Sequence, residues 1–562
     1  MHHHLSLRSK VIIMASVMAS MFLVALDQTI IATALGKIVE EFNAYDSLSW
    51  IVTAYLLTTT ITVPIAGKLS DLFGRKLVLL AGVAIFGAGS LLSGMAGDVN
   101  QLVLWRAVQG IGGGIITANA FTIIGDLFAA RERGRWQGMI GAVFGLSSVI
   151  GPLLGGWLTD GQAILGLTTD WRWTFLINVP VAIIAFLLIM AFCPPLKHDN
   201  KPKIDYFGAI FLTIALATLV LAVDNTETIF ANVMDTFNLS LTGLRLIMGS
   251  IVALATAAFI WTESRVEEPI IPLRFFKNRT YSLVMIVATL FGAGFMGSIL
   301  YLTQFNQQVF GAGPTESGLM LIPMVAGIMV SAIGSGQLIS RTGKYKRFME
   351  FGVVLATIMI ALLTTLTPES PYWHEAIIMV ALGFGLGLVM PIMNIAVQNE
   401  FEQRELGVAT SSVQLFRTLG STVGIAIFGA MLTAGLTANL KGIEDTAYIQ
   451  ALKQSPAASK IGDLSEPNTQ LNLNMPDIKS EITKGFETSV ASLPAPVKSA
   501  ATKQFKENQS EYSDKIIHAF SKSLRSIFVT SASLMLIAAV VVFFIREKEL
   551  KHATAGATPG EM

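Results

Sequence analysis

Hydrophobic residues in this chain gather in long blocks rather than in the alternating or one-faced patterns of a water-soluble fold. Runs long enough to cross a bilayer as helices fall at 11–36, 48–69, 77–97, 101–125, 136–159, 172–193, 206–224, 243–262, 281–303, 317–340, 348–367, 375–397, 407–437 and 525–545. The pattern predicts fourteen spanning helices, an even number that puts both termini on one side. The polar connections decide which side. Alternate ones are basic: KLSDLFGRK (68–76), RERGR (131–135), KHDNKPK (197–203), the stretch from Arg265 to Arg279, and RTGKYKR (341–347). The opposite connections around Asp98, 160–170, 225–242, 304–316 and 368–374 contain no Lys or Arg. Basic loops stay in the cytoplasm, so both ends are expected there.

One connection departs from this regularity. Residues 438–520 are polar and fall on the outer face. Pro456, Pro467, Pro476, Pro494 and Pro496 punctuate them, and PDIKSEITKGFETSVASL and VKSAATKQFKENQSEYSDKIIHAF have near-helical apolar spacing. A partly helical hairpin over the outer mouth is expected, with a flexible insertion as the alternative.

Composition agrees with the blocks. The chain has 562 residues, 52% hydrophobic and 14% charged, where soluble chains carry about 25% charged residues. This is the composition of an integral membrane protein. Its net charge of +1 says nothing about partners, and the single Cys193 rules out an internal disulfide. A basic start followed by an apolar run is read as a retained first helix, because no small-residue cleavage site follows and Asp27 interrupts the run. No metal cluster, phosphate loop or nucleophile–base pair is evident, and His374 and His518 stand singly. An enzyme, a cofactor, a bound metal and a nucleic-acid partner are therefore not expected.

GKLSDLFGRK (67–76) is echoed by GQLISRTGKYK (336–346). Gly67 matches Gly336, Leu69 matches Leu338, Gly74 matches Gly343 and Arg75 matches Lys344. The echo implies two six-helix halves with an inserted pair: residues 1–193, an inserted segment 194–279 with helices seven and eight, and residues 280–562 including the outer segment 438–520. Parallel repeats with a site between them are a recurring transporter plan.

Several residues are costly where they stand. Asp27 lies near the middle of the first span, where a carboxylate costs about 2.5–3.5 kcal/mol on insertion scales. Arg106 sits inside LVLWRAVQGIGGGIITANAF and needs carbonyls, Gln109 or an acid as partner. Asp71, Gly74 and Arg75 form a tight cytoplasmic turn suited to holding one conformational state. In the fifth span Gly145, Gly151, Pro152, Gly155 and Gly156 give a flat small-residue face with a helix-loosening proline. Static packing is the alternative for that face, and a solvated basic loop for the turn.

Taken together, ALDQTIIATAL (25–35), WIVTAYLL (50–57), GKLSDLFGRK (67–76), LVLWRAVQGIGGG (102–114), GLSSVIGPLLGGWL (145–158), WRWTFLINVP (171–180) and EEPIIPLRFFKNR (267–279) resemble the major facilitator superfamily. Within it they look like the fourteen-helix drug/proton antiporter family, multidrug exporters of the QacA/EmrB type. The resemblance implies an all-α membrane fold of two six-helix bundles plus two inserted helices. It also implies export of amphipathic compounds across a bacterial cytoplasmic membrane, driven by protons, by a chain that works as a monomer. It assigns proton coupling to Asp27 and Arg106. Conformational roles fall to Asp71, Gly74, Arg75, Gly151, Pro152, Gly155 and Gly156. Ser340 departs from the pattern by replacing the acid in the second copy of the loop motif.

Substrate-binding candidates are the aromatic, soft and polar groups of the helices expected to line a cleft: Trp50, Tyr55, Asn119, Phe144, Phe295, Met296, Gln304, Phe384 and Asn394, with Phe291, Met390 and Asn306 beside them. Each competes with a plain packing role. No second acid lies deep in a span, since Asp126, Asp224 and Glu400 fall near ends, and Arg417 adds a positive charge to the thirteenth. Monocationic or neutral cargo is therefore expected over dications. An exporter of a lipid, siderophore or metabolite on the same fold is the second reading, and a non-transporting receptor or scaffold the third.

Overall fold

The computed structural model describes residues 6–550 apart from 43–47, 160, 162, 165–166, 195–203, 224–225, 313, 454–463, 465–466, 475 and 493. Within these residues the apolar blocks are helices. In chain order they are α1 Leu7–Phe42, α2 Leu48–Phe73, α3 Arg75–Gly94, α4 Val99–Leu127, α5 Ala130–Thr159, α6 Asn178–Phe192, α7 Tyr206–Val223 and α8 Leu241–Glu263. They continue as α9 Arg279–Gln308, α10 Ile322–Thr342, α11 Lys346–Leu363, α12 Tyr372–Gln398, α13 Leu406–Asn439 and α14 Ala495–Phe543. Thirteen segments of the described residues are long and apolar enough to span a bilayer. The remaining helix, α11, opens on Lys346, Arg347 and Glu350, and these charges dilute an otherwise apolar segment. A two-residue antiparallel pair, β1 Ala163–Ile164 with β2 Leu167–Thr168, closes an outer connection.

The outer segment differs from its sequence reading in one respect. Its two apolar-spaced stretches pair as a helical hairpin, Pro476–Ser489 lying against the second arm through Lys479 to Ser513 at 3.0 Å and Thr483 to Gln509 at 3.1 Å. That second arm, however, continues without a break into the last spanning helix, α14, 49 residues long. Pro494 sits at its N-cap, a position where a missing N–H costs nothing. Short helices at Ala447–Lys453, Pro467–Asn472 and Pro476–Ser489 precede it. They pack around a small aromatic core in which Phe486 stacks on Phe505 at 4.0 Å and Tyr448 lies 5.0 Å from Tyr512. Tyr512 Oη donates to the Gln470 carbonyl at 2.7 Å, and His518 meets Glu369 at 3.1 Å. These contacts seat the segment on the outer end of the C-terminal helices.

Packing follows glycine. In the N-terminal part, α4 lies against α2 and α3, while α1 lies against α5 and α6. In the C-terminal part, α9 packs on α13 and α14, and α12 on α10 and α11. The two parts meet along α2 with α13 and along α5 with α10. A Cβ on Gly67 would fall 2.6 Å from Ser411 Cβ and 2.9 Å from the Gly407 carbonyl. On Gly336 it would fall 2.4 Å from the Gly134 carbonyl. The two glycines that the sequence echo pairs thus make equivalent close crossings, one from each part of the chain. The matched turn glycines agree as well, since Gly74 (φ 96°) and Gly343 (φ 71°) both have positive φ.

α7 and α8 pair with each other, and α7 alone of the two packs broadly on α2. Leu246, Leu254 and Trp261 on α8, and Leu536 and Val540 on α14, are exposed, as expected of surfaces that face lipid. On the cytoplasmic side the segment that follows α14 reaches Gly343 and Arg131. Leu550 is buried, its N–H donates to the Gly343 carbonyl at 3.1 Å, and its carbonyl accepts from Arg131 Nε at 2.9 Å.

Candidate functional site

Three polar constellations are built into this apolar frame. The first surrounds Asp27, which is fully buried on α1. Arg106 Nη1 on α4 donates to its Oδ2 at 2.5 Å. Gln109 Nε2, one turn along α4, donates to Oδ1 at 2.8 Å, and Asn178 Nδ2 on α6 to the same oxygen at 3.3 Å. Ser90 on α3 accepts from Gln109 at 2.6 Å and from Asn178 at 3.2 Å. Arg106 also donates from Nε to the Ile51 carbonyl at 3.2 Å, and its guanidinium lies 4.3 Å from the centroid of the Tyr55 ring. The cluster joins five helices and leaves Asp27 no face open to solvent. A lone buried acid would be expelled or neutralised; here the guanidinium and two amides saturate it.

The second constellation seals the cytoplasmic side. Both Asp71 oxygens accept backbone N–H bonds from the first turn of α13, Oδ1 from Gly407 at 3.2 Å and Oδ2 from Val408 at 2.9 Å. An anion at a helix N-terminus satisfies otherwise orphaned donors and meets the positive end of the dipole. A Cβ on Gly407 would fall 2.5 Å from Asp71 Oδ1, so only glycine admits the carboxylate there. Arg75, fully buried, pairs with Asp71 and, through Nε at 2.8 Å, with Asp126 at the end of α4. Its Nη1 donates to Ser70 Oγ at 2.6 Å. Deeper in, Gln137 Nε2 on α5 donates to Gln398 Oε1 at 3.0 Å, and Gln398 Nε2 donates to the Phe121 carbonyl at 3.0 Å. Together these ties cross from N-terminal to C-terminal helices and close the cytoplasmic face.

The third is a narrow cavity between the two parts of the chain. Phe121 of α4, Gln137, Gly141 and Phe144 of α5, Met390, Pro391, Met393 and Asn394 of α12, and Val413, Gln414 and Arg417 of α13 line it. Along α5, contact with α10 changes with depth. A Cβ on Gly138 would fall 2.1 Å from the Ala332 carbonyl and one on Gly145 3.1 Å from Val325, whereas Gly156 near the outer end meets nothing within 4 Å. Gly151 faces α1 instead, where a Cβ would fall 2.0 Å from Thr29 Oγ1. Gly155 is buried on the same helix, and the side chain of Pro152 lies outside the described residues.

The sequence-derived candidates separate accordingly. Asp27 and Arg106 are joined, as are Asp71 and Arg75 with Gly74 at the turn. Of the substrate-binding candidates, Phe144 and Asn394 line the cavity together with Met390. Tyr55 lies against Arg106 in the first cluster. Phe295 stacks on Phe291 at 5.8 Å. Asn119 is buried with Nδ2 donating to the Ile115 carbonyl at 2.8 Å. Trp50, Met296, Gln304 and Phe384 are half-buried and do not border the cavity, and Asn306 is buried away from it. Gln137, Gln398, Gln414, Asp126 and the N–H groups of Gly407 and Val408 were not singled out by sequence. Glutamine pairs and backbone donors leave no motif to find. Among the described residues no group of His, Cys, Asp and Glu has metal-site geometry.

A helical membrane protein with a saturated charge cluster in one half, a crossed cytoplasmic seal and a cavity between the two parts has the construction of a membrane transporter. The profile of the Major Facilitator Superfamily matches residues 17–425, and the chain belongs to that family. It is a multi-pass transporter of the cell membrane. Its relatives include the Multidrug transporter protein MdtP of Bacillus subtilis (strain 168), 33% identical over 555 residues, covering 97% of this chain and 95% of the relative. Multidrug resistance protein 3 of the same organism is 35% identical over 474 residues, covering 82% and 89%. Two solved structures share the fold with a TM-score of 0.57: the human organic anion transporter MFSD10 (TETRAN), at 16% identity with 75% of this chain and 93% of that one covered, and the proton:xylose symporter XylE, at 13% identity with 96% and 97% covered.

Proposed function

We propose that this protein is a proton-coupled antiporter that exports amphipathic drugs or toxic compounds, monocationic or neutral, by alternating access. The observation that carries the proposal is the fully buried Asp27–Arg106 pair, held by Gln109 and Asn178. The two Bacillus relatives, both multidrug proteins by name, support drug export as the task. In this reading residues 1–193 and 280–562 are the two moving bundles, and 194–279 is an accessory pair.

The energetics explain why such a pair can drive a conformational change. Protonating Asp27 removes the partner of a buried guanidinium, and breaking a buried pair costs about 3–5 kcal/mol. Inverting a two-state equilibrium from 1:99 to 99:1 takes about 5.5 kcal/mol. The two magnitudes are comparable, so a proton on Asp27 is able to bias the packing of α1, α3, α4 and α6 substantially. The turn Asp71–Gly74–Arg75 then holds the cytoplasmic side shut until that bias arrives, and the glycine face of α5 allows the sliding contact with α10. Protons enter and cargo leaves on successive half-cycles.

The test is substrate flux in proteoliposomes under an imposed pH gradient, wild type against Asp27→Asn. Loss of gradient-driven flux with substrate binding retained is the expected result. A variant that keeps full gradient-driven transport removes Asp27 from the coupling step and with it this proposal.

A further inference from the structure

Arg417 is the sole charged residue of α13. It stands eleven residues past the cytoplasmic start of that helix, about 17 Å along the axis and so near the middle of a hydrocarbon core about 30 Å thick. Its Nη2 donates to Gln414 Oε1 at 2.6 Å, while its buried Nε has no hydrogen-bond partner. No carboxylate pairs with it among the described residues. α9, packed along α13, contains neither Asp nor Glu, and α13 itself contains none. The other acids nearest the membrane interior are engaged or distant. Asp27 is bound to Arg106, Asp71 and Asp126 are bound to Arg75, and Glu375 is at the outer end of α12 beside Asn306.

An uncompensated guanidinium at this depth is expensive, and the protein keeps it, half-buried, on the wall of a cavity of about 20 Å³ between the two parts of the chain, which has to widen before cargo can enter. Phe121, Phe144 and Met390 give that cavity an apolar side, and Asn394 adds a buried amide whose Oδ1 lacks a donor. What the guanidinium lacks is an anion, and what Asn394 Oδ1 lacks is a donor. A guanidinium presents a planar fork that fits a carboxylate, and Gln414 fixes one arm of that fork in place.

We propose that Arg417 is the anchor for an acidic group on the exported compound, with the apolar body of that compound lying against Phe144, Met390 and Phe121. The cargo class is then an amphiphile bearing a carboxylate or similar oxyanion, either net anionic or zwitterionic. This rests on the exporter reading and moves its charge preference from the monocationic end to the neutral and acidic end. Asp27 does not compete for a cationic cargo, because Arg106, Gln109 and Asn178 already occupy it.

The test uses the purified full chain in nanodiscs and three probes with one ring system: 1-pyrenebutyric acid, 1-pyrenebutanol and pyrenebutyl-trimethylammonium. Fluorescence titration, corrected with empty nanodiscs, reads affinity. Wild type is expected to bind the acid about ten- to 150-fold more tightly than the alcohol, the range for a hydrogen bond to a charged group. Arg417→Gln is expected to erase that difference and Arg417→Lys to keep part of it. Equal binding of the three probes by wild type overturns the proposal, as does an Arg417→Gln variant that still prefers the acid. Sodium butyrate displacing the pyrene acid at equal concentration also overturns it, since the site would then hold any small anion. The wild-type comparison stands even where a variant fails to fold. Asp27→Asn separates this proposal from the coupling reading: it is expected to keep the acid preference while losing gradient-driven flux.

Discussion

The cytoplasmic seal offers the most quantitative test of the structure. Asp71 spends both carboxylate oxygens on the N–H groups of Gly407 and Val408 and shares Arg75 with Asp126. Asp71→Asn keeps the shape but leaves one acceptor oxygen for two donors and turns the other position into a donor facing an N–H. At least one hydrogen bond to a charged group is lost, worth about 1.5–3 kcal/mol. Asp126 still neutralises Arg75, so the fold is expected to survive. In the alternating-access reading proposed above, the loss falls on the cytoplasm-closed state, because opening that side separates α2 from α13. The closed-to-open ratio should drop about ten- to 150-fold. Spin labels at Phe73 and Arg404, both on the exposed cytoplasmic rim, in a Cys193→Ala background report the separation directly. Wild type should show one short distance, and Asp71→Asn a second, longer population that is about ten- to 150-fold larger relative to the short one than in wild type. An unchanged distance distribution would refute the idea that this carboxylate holds the seal.

Two further predictions concern packing and pH. Gly138→Ala places a methyl 2.1 Å from the Ala332 carbonyl, so α5 and α10 must separate. Overpacking of this kind costs about 1–3 kcal/mol, read as a lowered thermal midpoint together with the longer spin-label distance described above, whereas Gly156→Ala, with open space around it, should change neither. On the outer side Glu41 accepts from Arg172 at 2.8 and 3.1 Å and from Trp171 Nε1 at 2.6 Å. Arg172 holds its carboxyl below the ordinary value of 4.5. A lowered folded-state value means that the stabilisation is present above the unfolded value and disappears as pH falls through the folded one. Because the carboxyl is 44% exposed, the effect is under about 1 kcal/mol. Glu41→Gln should flatten the wild-type decline in thermal midpoint between about pH 5 and pH 3, and an unchanged slope would show that the pair contributes nothing.

Spans and topology were legible because hydropathy accumulates over twenty residues and the basic loops alternate with uncharged ones. Asp27 and Arg106 were legible as individually costly residues, and helix spacing pointed to Gln109 as a neighbour. Much of what binds the two parts of the chain together was not legible. Asp71 is met by backbone N–H groups 336 and 337 positions away, and a backbone donor has no sequence signature. Asp126 reads as an ordinary helix end until Arg75 is placed beside it. The length of α14 escaped because its outer half is polar, so hydropathy marked only the part that crosses lipid. The cavity wall is mixed in the same way: Arg417 stands out in an apolar helix, whereas Gln137 and Gln414 resemble any neutral residue on a helix face.

The continuity of α14 makes the outer segment a lever. Asn439, at the end of α13, donates to Ser523 at 3.1 Å, which marks where α14 passes from the spanning helices into the outer segment. From there to Ala495 the helix projects about 42 Å. A rigid rod of that length moves its tip by about 7 Å for every ten degrees through which its base turns. The aromatic core around Tyr448, Phe486, Phe505 and Tyr512 therefore travels with the C-terminal helices as one piece. A small rotation inside the membrane becomes a displacement larger than a drug molecule's half-width on the outer surface.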